Sequence, residues 1–184
     1  MIYQLTPEYF VRVLSERDVD GPYPSWFSDQ DVCRYNSHGK LFNTEEHFRH
    51  FVRGMDSGDR LVWAICHRDD GHIGNISLQQ IALIDRSAEL AILLGDRRHW
   101  GRKVGVLAGR QLLRHGFDKL NLERIYCGTT VTNLAMRHLA ETLGMTLEGT
   151  RRQHVFLEGQ RVDVVEYGIL REEFRAHEQR QQPS

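Results

Sequence analysis

Apolar positions along this chain follow two periods, and the sharpest switch between them lies within residues 87–120. From Ser87 to Leu94, Ala88, Leu90, Ile92 and Leu94 alternate with Glu89, Ala91 and Leu93, so both faces of the run are apolar except at Glu89. Such a run predicts a strand in the middle of a sheet rather than at its edge. Gly95 and Asp96 break it, the cationic turn Arg97-Arg98-His99-Trp100-Gly101-Arg102-Lys103 follows, and from about Val104 to Leu120 the period becomes helical. Val106, Leu113, Phe117 and Leu120 share one stripe of that helix at spacings of seven, four and three. Gly105, Gly109 and Gly116 each cost about 1 kcal/mol against alanine in a helix interior. Gly105 and Gly109, four apart beside Ala108, make a small-residue ridge that lets the helix lie close to a strand or a ligand. A strand that passes through a Gly/Arg turn into a helix start brings unpaired N–H groups, partial positive charge and permissive backbone to one place, which suits a pyrophosphate.

The remaining pattern predicts one strand over Tyr9–Leu14 and an aromatic-rich stretch, Trp26 to Tyr35, after the breaker Gly21-Pro22-Tyr23-Pro24-Ser25. That stretch reads either as a short helix packed on the core or as a substrate-facing wall built from Trp26 and Tyr35. Asn43 and Glu46 have capping-box spacing and start a helix carrying Phe48, Phe51 and Val52. Leu61–Cys66 and His72–Ile81 form a hairpin about Asp69-Asp70-Gly71, and Arg124–Val131 is a further strand. Thr132-Asn133 caps a helix over Leu134–Leu143, and Met145–Leu157 with Arg161–Leu170 closes the chain as a long hairpin. Residues 1–170 read as one domain, and the charged, Gln-rich segment 171–184 as a frayed helix followed by disorder.

Composition narrows the classes of partner. A chain of 184 residues with 40% hydrophobic and 27% charged residues can bury one core, and a formal net charge of -1 leaves no basic excess for nucleic acid or a membrane surface. The first residues lack a signal-peptide pattern, so the expected location is cytoplasmic. Cys33, Cys66 and Cys127 are odd in number and widely spaced, which favours free buried thiols over disulfides. His47 and His50 lie three apart, but no carboxylate or thiol accompanies them at ligand spacing, so no metal site is expected. Gly101-Arg102-Lys103-Val104-Gly105 is not followed by the Lys-Ser/Thr of a nucleotide P-loop.

The turn resembles the cofactor motif of the GNAT superfamily of acyl-CoA-dependent N-acetyltransferases, Gln/Arg-x-x-Gly-x-Gly/Ala after a central strand. Arg98-His99-Trp100-Gly101-Arg102 matches it, and Lys103 occupies the last, normally small, position. Either Gly105 takes over the close approach there or Lys103 adds a phosphate contact of its own. W-F-S-D-Q-D-V-C-R-Y at 26–35, I-G-N-I-S-L at 73–78, A-E-L-A-I-L-L-G at 88–95, H-G-F-D-K-L-N-L-E-R-I at 115–125 and E-T-L-G-M-T-L-E-G at 141–149 further resemble the RimJ/RimL-type branch. The resemblance implies an α/β fold with a mixed, mostly antiparallel sheet of about seven strands and helices on both faces. It also implies acetyl-CoA as co-substrate and a small-molecule amine as acceptor, in a monomer or homodimer. Within the branch the chain looks most like members that act on amino sugars carried on nucleotides. The alternatives are acetylation of peptide N-termini or polyamines, or a non-catalytic CoA-sensing module.

By the same resemblance, backbone groups of Ile92, Leu93 and Leu94 bond the pantetheine arm as an added strand would, and one N–H there holds the oxyanion, whose loss costs roughly 10²–10³ in rate. Arg98, Gly101, Arg102, Lys103, Val104, Gly105 and Val106 cradle the pyrophosphate. Asn133 is either a cofactor ligand or a plain helix cap, and Trp26 and Tyr35 face the acceptor. Relatives that place a proton-donating Tyr on the last helix have it where this chain has Ala140, which leaves solvent or Tyr126 as the acid. Glu89, the carboxylate inside the central strand, is the candidate general base, with pairing to Arg124 as its structural alternative.

Overall fold

The computed structural model describes residues 1–40 and 43–181. Eight strands form one open sheet in the order β1 (Ile2–Gln4), β2 (Tyr9–Val13), β3 (Leu61–His67), β4 (Gly71–Ala82), β5 (Ser87–Leu94), β6 (Arg124–Thr130), β8 (Gln160–Leu170), β7 (Thr146–Leu157). All neighbours are antiparallel except β5 and β6. That one parallel pair requires a crossover, and helix α3 (Val104–Asp118) supplies it after helices α1 (Tyr23–Trp26) and α2 (Glu45–Arg53). Helices α4 (Leu134–Thr142) and α5 (Arg171–Gln181) follow β6 and β8.

Each face of the sheet has its own core. On one, α3 buries Leu112, Leu113 and Phe117 against Ala88, Leu90 and Ile125. On the other, Tyr23, Trp26, Phe48 and Val52 cover Val62 and Ala64. The alternation along β5 explains the split, because Ala88 and Leu90 point to the first core while Glu89, Ala91 and Leu93 point to the second face. Gly109 is needed in α3 because a Cβ there would lie 2.8 Å from Leu143 Cδ1, where the end of α4 crosses.

Four differences from the expected pattern have local causes. The sheet has eight strands, not seven, because β1 is only three residues long and too short to show a period. Helix α2 is capped by Thr44, whose hydroxyl accepts the His47 N–H at 3.2 Å, not by Asn43. The buried stripe of α3 runs through Val104, Ala108 and Leu112, whereas Val106 is half-buried and Leu120 lies past the helix end. Residues 171–181, expected to fray, form a helix that anchors Phe174 in the first core, stacked on Phe117 with ring centroids 5.4 Å apart. Residues 182–184 of the expected tail lie outside the described residues.

One feature of the sheet places the site. β5 keeps its rungs with β4 from Ser87 as far as Leu94, but with β6 it shares only three: Ser87 with Arg124, Ala88 with Ile125, and Glu89 with Tyr126. Beyond that last rung β6 follows β8 and the two parallel strands part, leaving a wedge between Leu90–Leu94 and the end of β6.

Candidate active site

The wide end of the wedge is built by the turn from β5 into α3. Gly95 is buried beneath Trp26, with no room for a side chain against the indole ring, and its N–H donates to Ile73 O at 3.0 Å. The Asp96 carboxylate accepts the Arg98 N–H at 3.0 Å, and the Trp100 indole N–H donates to Leu94 O at 2.8 Å. Gly101 has φ +74° and open space where a Cβ would stand, and Lys103 has φ +61°, the left-handed region that glycine favours. Lys103 is the N-cap of α3 and makes no side-chain cap, and no acidic residue lies in the first turn. The Val106 and Leu107 N–H groups both donate to Lys103 O, at 3.0 and 3.2 Å, so the Val104 and Gly105 N–H groups are the ones this helix start leaves, among the described residues, with neither a capping side chain nor a first-turn carboxylate.

The cations of this turn divide into two sets. Arg97 pairs with Asp29 and Asp31, and Arg98 pairs with Asp96 (2.6 Å) and with Asp70 (2.8 Å), so both hold the turn in place. Arg102 and Lys103 are exposed and, among the described residues, enter no ion pair. Gly105 lies at the floor of the wedge, its Cβ direction 3.3 Å from Ile92 Cδ1. Across the wedge, Asn133 caps α4 by accepting the Met136 N–H at 3.2 Å. Its structural role as a cap is therefore present.

The narrow end carries titratable groups. Glu89 is half-buried and accepts a hydrogen bond from Gln80 Nε2 at 2.9 Å; among the described residues no cation contacts it. Arg124, its expected partner, forms a bidentate pair with Glu148 instead. Burial and the neighbouring Glu166 raise the Glu89 carboxyl above the ordinary glutamate range, and Arg151, which pairs with Glu166, offsets part of that rise. Tyr126, opposite Glu89 in register, is raised by burial, by Glu89 and by Glu166, so its phenol keeps its proton at neutral pH.

Beside Glu89 on the same face opens a cleft of about 160 Å³. Its floor is the period-two stripe Asn75, Ser77 and Gln79 of β4 with Ala91 and Leu93 of β5, and its far wall is His47, Phe48 and Phe51 of α2 with Arg60. Ile92 lines both this cleft and the wedge.

The sequence-predicted site residues fall into three groups. Ile92, Leu93, Leu94, Arg98, Gly101, Arg102, Lys103, Val104, Gly105 and Val106 surround the wide end, and Glu89 stands at the narrow end. Trp26 is 5% exposed and packs at 4.9 Å on His72, so it supports the site from within the core and gives no wall to an acceptor. Tyr35 is exposed and donates to Thr132 O at 3.2 Å, next to Asn133. Ala140 is 1% exposed, so its side chain faces the core. The stripe Asn75, Ser77, Gln79 was missed as a site, although polar residues at every second position of an otherwise apolar strand were legible in the sequence.

Among the scattered histidines, His67 and His99 converge on Asp70, their ligand atoms within 4.8 Å of one another. His67 Nδ1 lies 2.9 Å and His99 Nε2 3.2 Å from Asp70 Oδ2, while the Tyr9 hydroxyl meets His99 Nδ1 at 2.9 Å. Arg98 already brings a cation to the other oxygen of Asp70, which disfavours a second cation there. The cluster clasps the β3–β4 hairpin to the turn before α3. Cys33, Cys66 and Cys127 are free and buried.

Comparison with known proteins identifies the family and the fold. Residues 9–146 match the acetyltransferase (GNAT) domain family. A putative ribosomal N-acetyltransferase, YdaF, of Bacillus subtilis is 28% identical over 123 residues, 67% of this chain and 63% of that protein, so the chain spans just under two thirds of that relative's length. The spermidine N-acetyltransferase of Vibrio cholerae, solved in complex with CoA and spermine, superposes with TM-score 0.83 at 21% identity over 92% of this chain and 99% of its own. The RimL ribosomal-protein acetyltransferase in complex with coenzyme A superposes with TM-score 0.83 at 20% identity, over 92% and 98% of the two chains. No described helix is long and apolar enough to cross a membrane. With its matched domain covering most of the chain and a splayed parallel pair at its centre, this protein belongs to the GNAT acetyltransferase family.

Proposed function

We propose that the protein transfers the acetyl group of acetyl-CoA, the co-substrate of its family, to a primary amine bound in the cleft beside β5. The observation that carries this reading is the wedge itself, with an uncapped, cation-bearing helix start at its wide end and an unpaired, half-buried carboxylate at its narrow end. The first-turn N–H groups of α3 with Arg102 and Lys103 receive the pyrophosphate, and the backbone of Ile92 to Leu94 and the Asn133 amide bond the arm. Leu94 O already accepts the Trp100 indole, so the arm bonds other groups of this stretch. Arg98 acts through the turn it braces.

In the reaction, the amine nitrogen attacks the thioester carbonyl carbon, the tetrahedral intermediate collapses with cleavage of the C–S bond, and the products are the acetamide and CoA. A lysine-like amine near pKa 10.4 costs about 4.6 kcal/mol to deprotonate at pH 7 in water. Glu89 removes that proton directly or through one water, and Tyr126, with its phenol held protonated, returns one to the thiolate.

The finer reading, an amino sugar on a nucleotide, rests on the resemblance of residues 26–35, 73–78 and the terminal hairpin, with Trp26 and Tyr35 as stacking surfaces; with Trp26 in the core, Tyr35 is the stacking surface that remains. A thiol-release assay with acetyl-CoA over a panel of amines tests the reading. Turnover with at least one amine, lost in Glu89→Gln, is the expected result. Tight CoA binding with no turnover on any amine would replace the enzyme with a CoA-sensing module.

A further inference from the structure

The hydrogen-bonding character of the cleft is set from beneath by a buried histidine. His72 Nε2 lies 3.0 Å from Gly74 O and 2.8 Å from Asn75 Oδ1. A backbone carbonyl can only accept, so Nε2 carries the proton and Asn75 meets it with its oxygen. The Asn75 NH₂ group is thus its free end, a donor in the cleft floor. Arg60 in the cleft wall is a second donor, held by Asp59 at 2.9 Å with its guanidinium 5.5 Å from the Phe51 ring centroid. Among the described residues no Asp or Glu lines the cleft. Nearby carboxylates on the same face are already engaged, Glu166 by Arg151 and Glu148 by Arg124, which leaves Glu89 to meet one ammonium.

A polyamine would bring three or more cations to a cleft whose described lining holds no carboxylate, with Glu89 beside it as one unpaired acid, and its surplus charges would meet only neutral dipoles such as Ser77 and Gln79 and the donors of Asn75 and Arg60. We infer that the acceptor is instead a single α-amine beside a carbonyl or carboxylate on an aromatic or large apolar side chain. Its oxygen takes the Asn75 donor, its nitrogen addresses Glu89, four rungs or about 13 Å further along the sheet, through water, and its side chain lies against Phe27, Phe48 and Phe51. This inference rests on the acetyl-transfer reading, and it separates this chain from the spermidine acetyltransferase that it resembles in fold.

The test uses the full chain saturated with CoA for calorimetry, and acetyl-CoA for thiol release. Its arms are phenylalanine, phenylalaninamide, a tripeptide with N-terminal phenylalanine, spermidine, and a nucleotide-linked amino sugar. At least one phenylalanine compound should bind, with kcat/KM tenfold or more above spermidine and the sugar nucleotide, and the first three arms distinguish a free amino acid from a peptide terminus. Preference for spermidine or the sugar nucleotide, or binding of no phenylalanine compound, overturns the inference. Selective binding of the phenylalanine series with no acetyl transfer to any amine would instead sink the acetyl-transfer reading alone. Ser77→Asp puts a carboxylate in the cleft floor, in addition to Glu89 beside it, and should raise kcat/KM for spermidine at least fivefold while lowering it for the phenylalanine series; an unchanged ratio in the folded variant overturns the inference.

Discussion

Helices α2 and α3 both start near the β5 site, and they start in opposite ways. α2 has Thr44 accepting the His47 N–H and then Glu45 and Glu46, so its own chain satisfies a donor and neutralises the positive end. α3 has no side-chain cap and no acid in its first turn, and its N-cap is a lysine held at φ +61°. The first arrangement is what stability alone selects, since a cap and a first-turn acid contribute roughly 1 kcal/mol each. The second forgoes those contributions and places a non-glycine residue where backbone strain costs about 1–2 kcal/mol. A helix start that is worse for folding but better for an anion separates binding from stability within one molecule. The same separation runs along β5, from the anion end at Leu94 to the proton end at Glu89.

The largest effect should come from the proton end, where neither helix takes part. Glu89→Gln should lower kcat by roughly 10²–10⁴ with acetyl-CoA affinity unchanged. Because burial beside Glu166 raises this carboxyl, the folded chain keeps its proton at pH values where the unfolded chain has lost it. Folding stability therefore falls as pH rises from the ordinary glutamate value through the raised one, and Glu89→Gln should abolish that fall and leave Tm at pH 7 equal or higher. The acid limb of the pH–rate profile should lie above the ordinary glutamate range and vanish in the variant. A lowered Tm with near-normal turnover per folded molecule would make Glu89 structural.

Making α3 resemble α2 should be next in size. Val106→Glu puts a carboxylate in the first turn of α3, where the dipole contributes about 0.3–1 kcal/mol that offsets part of the packing lost with a half-buried valine. Acetyl-CoA affinity should fall about ten- to a hundredfold, as loss of one charge-assisted bond predicts. Calorimetry that found affinity retained would remove the pyrophosphate from this helix start.

A smaller effect of mixed sign is expected from Lys103→Gly. Relief of the left-handed strain less the entropy of glycine should leave the protein about 0.5–1 kcal/mol more stable. Loss of an exposed ammonium should weaken acetyl-CoA only about two- to fivefold. Denaturant unfolding and calorimetry read the two signs separately, and a variant that bound more tightly would show that Lys103 is no phosphate contact. The smallest change in binding belongs to the control, Thr44→Ala in α2: about 1 kcal/mol of stability lost, acetyl-CoA affinity unaltered. If the two helix starts respond alike, the contrast between them is not functional.

What the sequence determined by itself was local. Ser87–Leu94 is a strand between those ends, α3 begins at Val104, and Asn133 caps α4, because alternation, helical period and capping chemistry act between residues a few positions apart. A motif confined to 98–105 was legible for the same reason. Only the tertiary structure decided which cations are spent on the fold, since Arg98 meets Asp70 from the β3–β4 hairpin, and that Trp26 belongs to the core, since its indole packs on Gly95 and His72. Likewise β5 and β6 part after Glu89 because β6 is drawn along β8, some forty residues further on, and Asn75 presents a donor because His72 lies beneath it. Pairing, burial and desolvation depend on partners distant in the chain, and no periodicity records them.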